Sequence, residues 1–581
     1  MEMEPDLRAA PVHSSAPAPG TATGSGWRRW APRLAPRLPI AALFVWALVL
    51  FAVGISWGMP SWVGWAGDEL HPTSWTQAIS PATPMGWHAR YPPLHFALLA
   101  GLSWPYRALA QRGSAPVDEL GLIVHLTYFA RLVSLAMALA AVGFLYLAGC
   151  EIYGRRKALF AAFAAVSIAP FVYYAKMANL DSPYVCWFTL SLLFYVRILK
   201  RHRLRDYLFF AAAAAAAVCT KDQAYGLYTL LPLPIVYGLY RHEFRARGPV
   251  AGLARAAVDR RVLGAGLTAA VLFAVFQDIL FDRQRFAIHL RLLLGPMSED
   301  YQDFPNTTAG HAELLSLFLK QIAFALNYAL AAACVLGLGL AIYRAVARRT
   351  GTTEKREALL LLAVFVSVVS YYVTFLNLIL FTFDRYVLPV AMVLALFCGY
   401  LLGELARPRV PRAKLAAIAG RAVAAAVVVY SALYAASIDF RLLADTRYGV
   451  EDYVAAHARR PDSVVGVGRR KHIPRFHWIP WDRAIRSHGR VFENLAPEYV
   501  AVNVTDFRHE REQEIYRMLS SGELGYRLVF TRQSKPFLDL LSRQDVDSSQ
   551  RFVDPEIALF ERLADAPAHA APLPVSAQPP G

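Results

Sequence analysis

Acidic and basic side chains stand together in short segments that border the apolar stretches of this chain. These segments are Gly67-Asp68-Glu69, Arg90 to His95, Asn179 to Pro183, Lys221-Asp222-Gln223 and Asp384-Arg385-Tyr386. Ionisable residues inside or at the rim of a bilayer cost free energy to place there, so they are candidates for function. A carboxylate at an apolar rim can act as a general base toward a hydroxyl, and Lys or Arg can bind a phosphate. Together they predict a reaction in which a base activates a hydroxyl while cations hold a phosphate leaving group.

Each segment also has a purely structural interpretation. A pair of loop acids can simply be solvated, and an acid at a helix start can cap that helix. Adjacent Lys and Asp residues can neutralise each other, and an Arg at the rim can reach lipid headgroups. The candidate catalytic residues are Asp68, Glu69 and Asp181. The candidate substrate-binding residues are Arg90, Tyr91, His95, Lys221, Asp222, Arg385 and Tyr386.

The apolar stretches themselves predict a mainly α-helical, polytopic membrane protein. Of the 581 residues, 56% are hydrophobic, whereas soluble proteins have roughly 45–50%. The excess lies in blocks long enough to cross a bilayer as helices, for which about 20 residues suffice. The blocks are 38–57, 92–110, 122–149, 157–176, 183–198, 207–220, 224–240, 262–282, 317–343, 358–382, 386–404 and 414–437.

Short basic runs between the blocks predict the topology, because positively charged loops stay in the cytoplasm. They place the N-terminus inside, and the 58–91 loop and the chain after about residue 437 outside. If block 92–110 crossed the bilayer, the basic runs at 155–157 and 197–205 would lie outside. We therefore predict a juxtamembrane or re-entrant helix there and about eleven transmembrane helices elsewhere. The net charge of +17 is likewise attributed to topology, and nucleic acid is not expected as a partner.

Composition divides the chain into four predicted regions. Residues 1–37 form a disordered cytoplasmic N-terminus, 38–437 the membrane domain, 438–565 an extracytoplasmic α/β domain and 566–581 a disordered tail. In the third region, strand-like runs alternate with helical segments. The predicted strands are 463–467, 499–504, 527–531 and 557–561, and the predicted helices are 449–459, 508–521 and 535–543. The first apolar block is too deep and too long for a cleaved signal peptide, so we expect it to be retained.

The five cysteines lie in or at the ends of apolar blocks, and none belongs to a CxxC pair. They are predicted to be packing residues, with no disulfide framework or cysteine metal site.

In the same polar segments the chain resembles the bacterial membrane glycosyltransferases of superfamily C. This group includes protein O-mannosyltransferases and lipid A aminoarabinose transferases. The matching elements are Gly67-Asp68-Glu69, Tyr91–Leu94, Arg131-Leu132 through Tyr153–Arg156, Ala175–Pro183 and Arg385–Pro389. The resemblance covers roughly residues 38–404. Lipid A transferases often carry Lys before the Pro-Pro pair, where this chain has Tyr91, which argues against that subgroup.

The resemblance implies an inverting transfer of a sugar from a polyprenyl-phosphate carrier to an acceptor hydroxyl outside the cytoplasm. Asp68 would be the general base, Glu69 would orient it or touch the acceptor, and Asp181 would be a second acid. Lys221 and Arg385 would hold the carrier phosphate. No cofactor is certain; a divalent metal is left open, with Asp68 and Asp181 as its candidate ligands. The expected location is a bacterial cytoplasmic membrane, where the enzyme would glycosylate the cell envelope, and the acceptor can be lipid, glycan or protein.

Two other classes of function remain open at this point. A transporter or flippase of lipid-linked or anionic substrates is the main alternative, although no internal repeat is visible and the acids lie toward one face. A polymer ligase or a scaffold without activity is the third. A candidate gate is the 283–316 loop, which holds Arg283, Arg285, His289, Asp300, Tyr301 and Asp303.

Overall fold

The computed structural model describes residues 38–76, 90–113, 117–295, 302–348, 350–407, 414–460, 463–505, 507–532 and 553–564. The predicted disordered termini and the predicted helix at 535–543 lie outside these ranges, as do Asp300 and Tyr301 of the candidate gate.

Up to residue 460, nearly all regular secondary structure in the described chain is helical. The helices before residue 230 are α1 (Leu38–Ala52), α2 (Pro72–Thr76), α3 (Leu94–Gln111), α4 (Glu119–Tyr153), α5 (Arg155–Val166), α6 (Ala169–Tyr174), α7 (Asp181–Arg201), α8 (Leu204–Val218) and α9 (Tyr225–Tyr228). The later ones are α10 (Pro232–Leu239), α11 (Pro249–Ala257), α12 (Arg260–Phe276), α13 (Arg283–Leu294), α14 (Thr308–Val346), α15 (Thr352–Tyr371), α16 (Asn377–Ile379), α17 (Leu388–Leu405), α18 (Lys414–Leu443) and α19 (Thr446–His457).

Six helical stretches of the described chain are long and apolar enough to cross a bilayer. They are α4, α7, α14, α15 with its extension to Ile379, α17 with the turn from Asp384, and α18 with α19. Helix α1 is apolar but shorter, with 15 residues, and α3 is not among the six. The membrane character of the protein is therefore confirmed, whereas the number of eleven transmembrane helices stays a prediction.

Three predicted blocks are not single regular helices, which corrects the sequence interpretation. Block 317–343 is kinked within α14 at Asn327, whose backbone angles are not helical (φ 59°, ψ 165°). Block 157–176 breaks between α5 and α6, where Pro170 starts a new helix. Block 224–240 breaks between α9 and α10, where Pro232 does the same. Proline lacks an amide hydrogen and clashes with the preceding turn, so it is tolerated at a helix start and not in the interior.

Helix α17 lies in the centre of the helical core, and nearly all its side chains from Leu388 to Leu402 are buried. Glycine lets its neighbour α5 approach closely: a Cβ on Gly399 would lie 2.6 Å from the carbonyl oxygen of Lys157 and from Ala161. Close packing of this kind fixes the helix in position. It therefore also fixes Arg385 and Tyr386, which lie in the turn that leads into α17.

A five-stranded sheet follows the helices, in the spatial order β2-β1-β3-β5-β4. The strands are β1 (Val464–Val467), β2 (His477–Ile479), β3 (Tyr499–Asn503), β4 (Tyr526–Arg532) and β5 (Ile557–Arg562). Strand β1 pairs in parallel with β2 and β3, and β5 pairs antiparallel with β3 and β4. Helices α20 (Trp481–Arg486), α21 (Arg490–Leu495) and α22 (Glu510–Ser521) pack with it. All four predicted strands are present; β2 has three residues, too few for an alternating pattern to be read.

Candidate active site

A cavity of about 700 Å³ lies between the loop after α1, the segments before α3, α7 and α17, and the turn after β1. A smaller polar pocket of about 220 Å³ shares part of its wall. Of the predicted site residues, Asp68, Glu69, Arg90, Tyr91, Lys221 and Arg385 line both spaces. Asp222 and Tyr386 line the cavity and Asp181 lines the pocket. Five segments that are spread along the chain from residue 68 to residue 386 are thus brought to one place.

His95 is the exception, because the structure does not place it at the cavity, and its role in substrate binding stays a prediction. Its side chain is 1% exposed, and it lines neither the cavity nor the pocket. The residue is the second of helix α3 and packs inside the protein.

Asp68 is the acid that faces the cavity most openly, with 52% of its side chain exposed. Arg385 Nη1 donates a hydrogen bond to its Oδ2 atom, across 317 residues of sequence. The guanidinium of Arg385 also lies 5.4 Å from the ring of Phe383 and 5.8 Å from that of Tyr386. A carboxylate that is open to the cavity and held by one cation can still accept a proton from a bound hydroxyl.

Glu69 lines the cavity, but its carboxylate is held in a buried ion pair. Arg131 Nε and Nη2 donate to its two oxygens at 2.6 and 2.7 Å, and only 4% of the Glu69 side chain is exposed. The Ala178 amide donates to Glu69 Oε1 at 3.1 Å, and Leu70 N donates to Ala178 O at 2.7 Å. Of the two predicted roles, this geometry fits orientation of the Asp68 loop and not contact with an acceptor.

Arg131 completes this arrangement, although it was not among the site residues predicted from the sequence. Its Nη1 atom donates to the carbonyls of Ile55 and Trp57, at 2.5 and 3.0 Å. One guanidinium thus binds the loop after α1 at its beginning and, through Glu69, near its end. A Cβ on Gly64 would overlap the Glu69 carboxylate, so glycine is required for this close approach. The available signal was an arginine inside an otherwise apolar block.

Asp181 and Lys221 form the second ion pair of the site. Lys221 Nζ lies 2.6 Å from Asp181 Oδ1, and both side chains are buried, with 7% and 2% exposed. Asp181 is the first residue of α7 and its own side chain does not cap the helix. The Lys221 ammonium also lies 5.5 Å from the ring of Tyr184 and 6.0 Å from that of Tyr386.

One interpretation of the sequence was that Asp222 neutralises its neighbour Lys221. The structure does not pair these two side chains. His289 Nε2 lies 3.1 Å from Asp222 Oδ1 instead. His289 belongs to the candidate gate, but residues Arg283–Leu294 form helix α13 and not a loop. This contact ties α13 to the rim of the cavity.

The turn after β1 closes the cavity from the side of the sheet. Lys471 Nζ donates to Gly67 O at 2.9 Å and lies 3.4 Å from Glu69 O, so it holds the backbone on both sides of Asp68. Arg469, Arg470 and His472 of the same turn line the cavity, together with Arg508. Sequence reasoning missed this group, although four consecutive basic residues, 469–472, were visible.

A buried arginine clamps the loop after α1 to the start of α19. Arg447 pairs with Asp445 at 2.6 Å, and Trp57 Nε1 donates to the same carboxylate at 2.9 Å. The Arg447 guanidinium lies 4.1 Å from the ring of Trp65. Aromatic and cationic groups thus fix the loop that carries Asp68.

Metal binding has limited support from the residues present. Among the residues that the structure describes, no group of three or more His, Cys, Asp and Glu side chains could hold a metal ion. The candidate ligands Asp68 and Asp181 each share their carboxylate with a cation. The sequence left a divalent metal open, and the structure does not test it.

One protein family matches a stretch of the chain that includes two residues of the candidate site. Residues 123–258 match the family described as dolichyl-phosphate-mannose-protein mannosyltransferase. The matched stretch contains Asp181 and Lys221. It confirms the resemblance to membrane glycosyltransferases that was expected from the motifs.

Solved structures of two proteins are similar to this chain in fold. ArnT from Cupriavidus metallidurans in the apo state is 14% identical, with 91% of this chain and 98% of that chain covered and a TM-score of 0.47. The same protein bound to undecaprenyl phosphate is 14% identical, with 92% and 99% covered and a TM-score of 0.44. The archaeal oligosaccharyltransferase AglB from Archaeoglobus fulgidus, in complex with an inhibitory peptide and a dolichol-phosphate, is 12% identical, with 87% and 74% covered and a TM-score of 0.44. No curated protein matches the chain in sequence.

Proposed function

We propose that this protein is an inverting glycosyltransferase that moves a sugar from a polyprenyl-phosphate carrier to an acceptor hydroxyl on the extracytoplasmic side of a bacterial cytoplasmic membrane. The observation that carries the proposal is the pairing of the open carboxylate of Asp68 with Arg385 beside the buried Lys221–Asp181 pair. One space thus holds a candidate base and two candidate phosphate ligands. The family match of residues 123–258 supports sugar transfer as the reaction class.

The proposed step is a single displacement at the anomeric carbon. Asp68 accepts the proton of the acceptor hydroxyl, whose oxygen forms the new bond to the sugar. The bond from the anomeric carbon to the phosphate oxygen breaks, and the carrier phosphate leaves with the electron pair. Attack and departure on opposite faces invert the anomeric configuration.

Arg385 and Lys221 would stabilise the negative charge that grows on the leaving phosphate. Within the described part of the chain, Arg385 Nε is buried and has no hydrogen-bond partner. A buried donor without a partner costs free energy, and a phosphate oxygen would remove that cost. Arg385 would therefore bind the donor more tightly as charge develops.

The apolar part of the cavity fits an isoprenoid carrier. Leu293, Phe375, Ile379, Phe381 and Phe383 line it on the side of α13 and α15–α17. The volume of the whole cavity, about 700 Å³, lies within the range of ligand pockets, about 300–1,000 Å³. Arg90, Tyr91, Asp222 and Tyr386 line the same space and are proposed to contact the donor or the acceptor.

Purified full-length protein in detergent tests the reaction class. A panel of polyprenyl-phosphate sugars is offered with a membrane extract as acceptor, and release of free carrier phosphate is measured. We expect release from at least one donor that depends on the extract. Movement of an intact donor across liposome membranes without any release would contradict the proposal and support the transporter alternative.

The pH dependence of donor binding tests the role of Lys221. Burial lowers the pKa of Lys221 from 10.5 to about 8, an effect that Asp181 opposes and Arg385 reinforces. Because the ammonium loses its proton as the pH rises through about 8, we expect donor affinity to fall above that pH. Isothermal titration calorimetry with a donor that binds the protein, at a series of pH values from about 7 to about 10, measures this change in donor affinity.

Lys221→Arg is the matched control, since a guanidinium stays charged up to a pH of about 12 or more. Its donor affinity should stay constant over the same range. An unchanged midpoint near pH 8 in this variant would assign the titration to another group.

A further inference from the structure

The cavity carries more positive charge than a single carrier phosphate requires. Seven Lys and Arg side chains line it, against three Asp and Glu side chains. Of those acids, Asp68, Glu69 and Asp222 are paired with Arg385, Arg131 and His289. Four of the seven cations, Arg469, Arg470, Lys471 and Arg508, come from the C-terminal part of the chain.

The cationic group is separated from the proposed position of the carrier phosphate. Asp68, Asp181, Lys221, Arg385 and Lys471 line the small polar pocket. Arg469, Arg470, His472 and Arg508 line only the larger cavity. The cavity therefore has a second region of positive charge on the side of the sheet.

The turn that presents Arg469, Arg470 and His472 is held in position on both sides. Arg447 Nη1 donates to Lys471 O at 3.1 Å, and Asn503 Nδ2 donates to His472 O at 2.8 Å. Lys471 Nζ in turn donates to Gly67 O. A backbone fixed by β3, α19 and the Asp68 loop lets Arg469 and Arg470 meet a ligand with little loss of conformational entropy.

Arg470 is the residue that most directly indicates a ligand. It is half-buried, and within the described residues it has no carboxylate in ion-pair contact; the ring of Trp478 lies 5.9 Å from its guanidinium. Burial lowers the pKa of this guanidinium. A partly buried charge without a partner is unfavourable, and an arriving anion would compensate it.

We infer that the turn 469–472 forms an anion subsite for the acceptor, so that the acceptor carries a phosphate or carboxylate group near the hydroxyl that receives the sugar. The inference rests on the proposed transferase function and adds the class of its acceptor. Guanidinium groups suit this role, because their planar donor fork binds both anions with two parallel hydrogen bonds. The subsite lies on the same turn as Lys471, so an anion bound there would place the acceptor beside Asp68.

Three sugars that differ in charge test the subsite in binding experiments with the full-length protein. The probes are glucose 6-phosphate, glucuronate and neutral glucose, each with polyprenyl phosphate present to occupy the donor site. We expect one or both charged sugars to bind and glucose not to bind; the stronger of the two identifies the anion. In Arg470→Gln we expect affinity for the charged sugar to fall about tenfold or more.

Two variants separate a lost contact from a damaged fold. Arg470→Lys keeps the charge without the planar fork and should retain part of the affinity. Arg517→Gln removes an exposed arginine of α22 and should bind like the wild type. Equal binding of all three sugars, or charged-sugar binding that is unchanged in Arg470→Gln or displaced by polyprenyl phosphate, would overturn the subsite.

The binding experiments need no turnover, so they separate the two proposals. If charged-sugar binding depends on Arg470 but no donor releases carrier phosphate, the transferase proposal fails and the anion site stands. If carrier phosphate is released and no Arg470-dependent binding occurs, the transferase proposal stands and the subsite fails.

Discussion

Asp68→Asn is expected to lower the rate of sugar transfer about 10²–10⁴-fold, the usual cost of losing a general base. Asparagine keeps the size of the side chain and its oxygen, but its amide cannot accept the proton of the acceptor hydroxyl. The loop should stay in place, because Glu69, Gly67 and Lys471 hold its backbone through contacts that do not involve the Asp68 carboxylate. Release of carrier phosphate is the measurement, with donor affinity determined in parallel.

Donor affinity is expected to change little in this variant, or to rise, because Arg385 is released from its ion pair. Asp452→Asn serves as the control: it removes an exposed carboxylate of α19 and should transfer like the wild type. Wild-type turnover by Asp68→Asn would exclude Asp68 as the base, and a matched loss in Asp452→Asn would point to a general charge effect.

Glu69→Gln is expected to destabilise the protein by about 3–5 kcal/mol, because it leaves the buried guanidinium of Arg131 without its carboxylate. The Arg131 side chain is fully buried, so water cannot compensate for the lost partner. Transfer should fall as well, since the loop that carries Asp68 is anchored through Glu69 to Arg131 and to Ala178 N. The apparent melting temperature in detergent and the transfer rate are the two measurements.

The double variant Glu69→Leu with Arg131→Met separates stability from positioning. Apolar side chains of similar volume often replace a buried ion pair at little cost, so the melting temperature should recover in part. Recovery is incomplete because the carbonyls of Ile55 and Trp57 lose the donor that Arg131 supplies. Transfer should stay low, because leucine cannot accept the hydrogen bond that Ala178 N donates to Glu69. Recovery of transfer together with stability would show that Glu69 has no positioning role.

The helical membrane domain and the strands of the C-terminal sheet follow from local sequence patterns. Apolar blocks set the long helices, and the short continuous apolar runs Tyr499–Val502 and Ile557–Phe560 set buried strands. The three-residue strand β2 carries no such pattern, and it forms only because β1 offers a parallel edge. Pro170 and Pro232, which mark the helix breaks, are visible in the sequence. An assignment of helices from apolar blocks alone does not detect these breaks.

For the candidate site, the sequence by itself determined which residue types stand at the ends of helices: Asp68, Asp181, Lys221 and Arg385 were recognisable because charge at an apolar rim is costly. Only the tertiary structure decided their partners. Asp68 meets Arg385 and Lys221 meets Asp181 because tightly packed helices such as α5 and α17 bring distant segments together. The roles of Arg131 and Arg470 were likewise revealed only by the structure. Whether a charge is buried, paired or left without a partner depends on contacts between residues far apart in the chain.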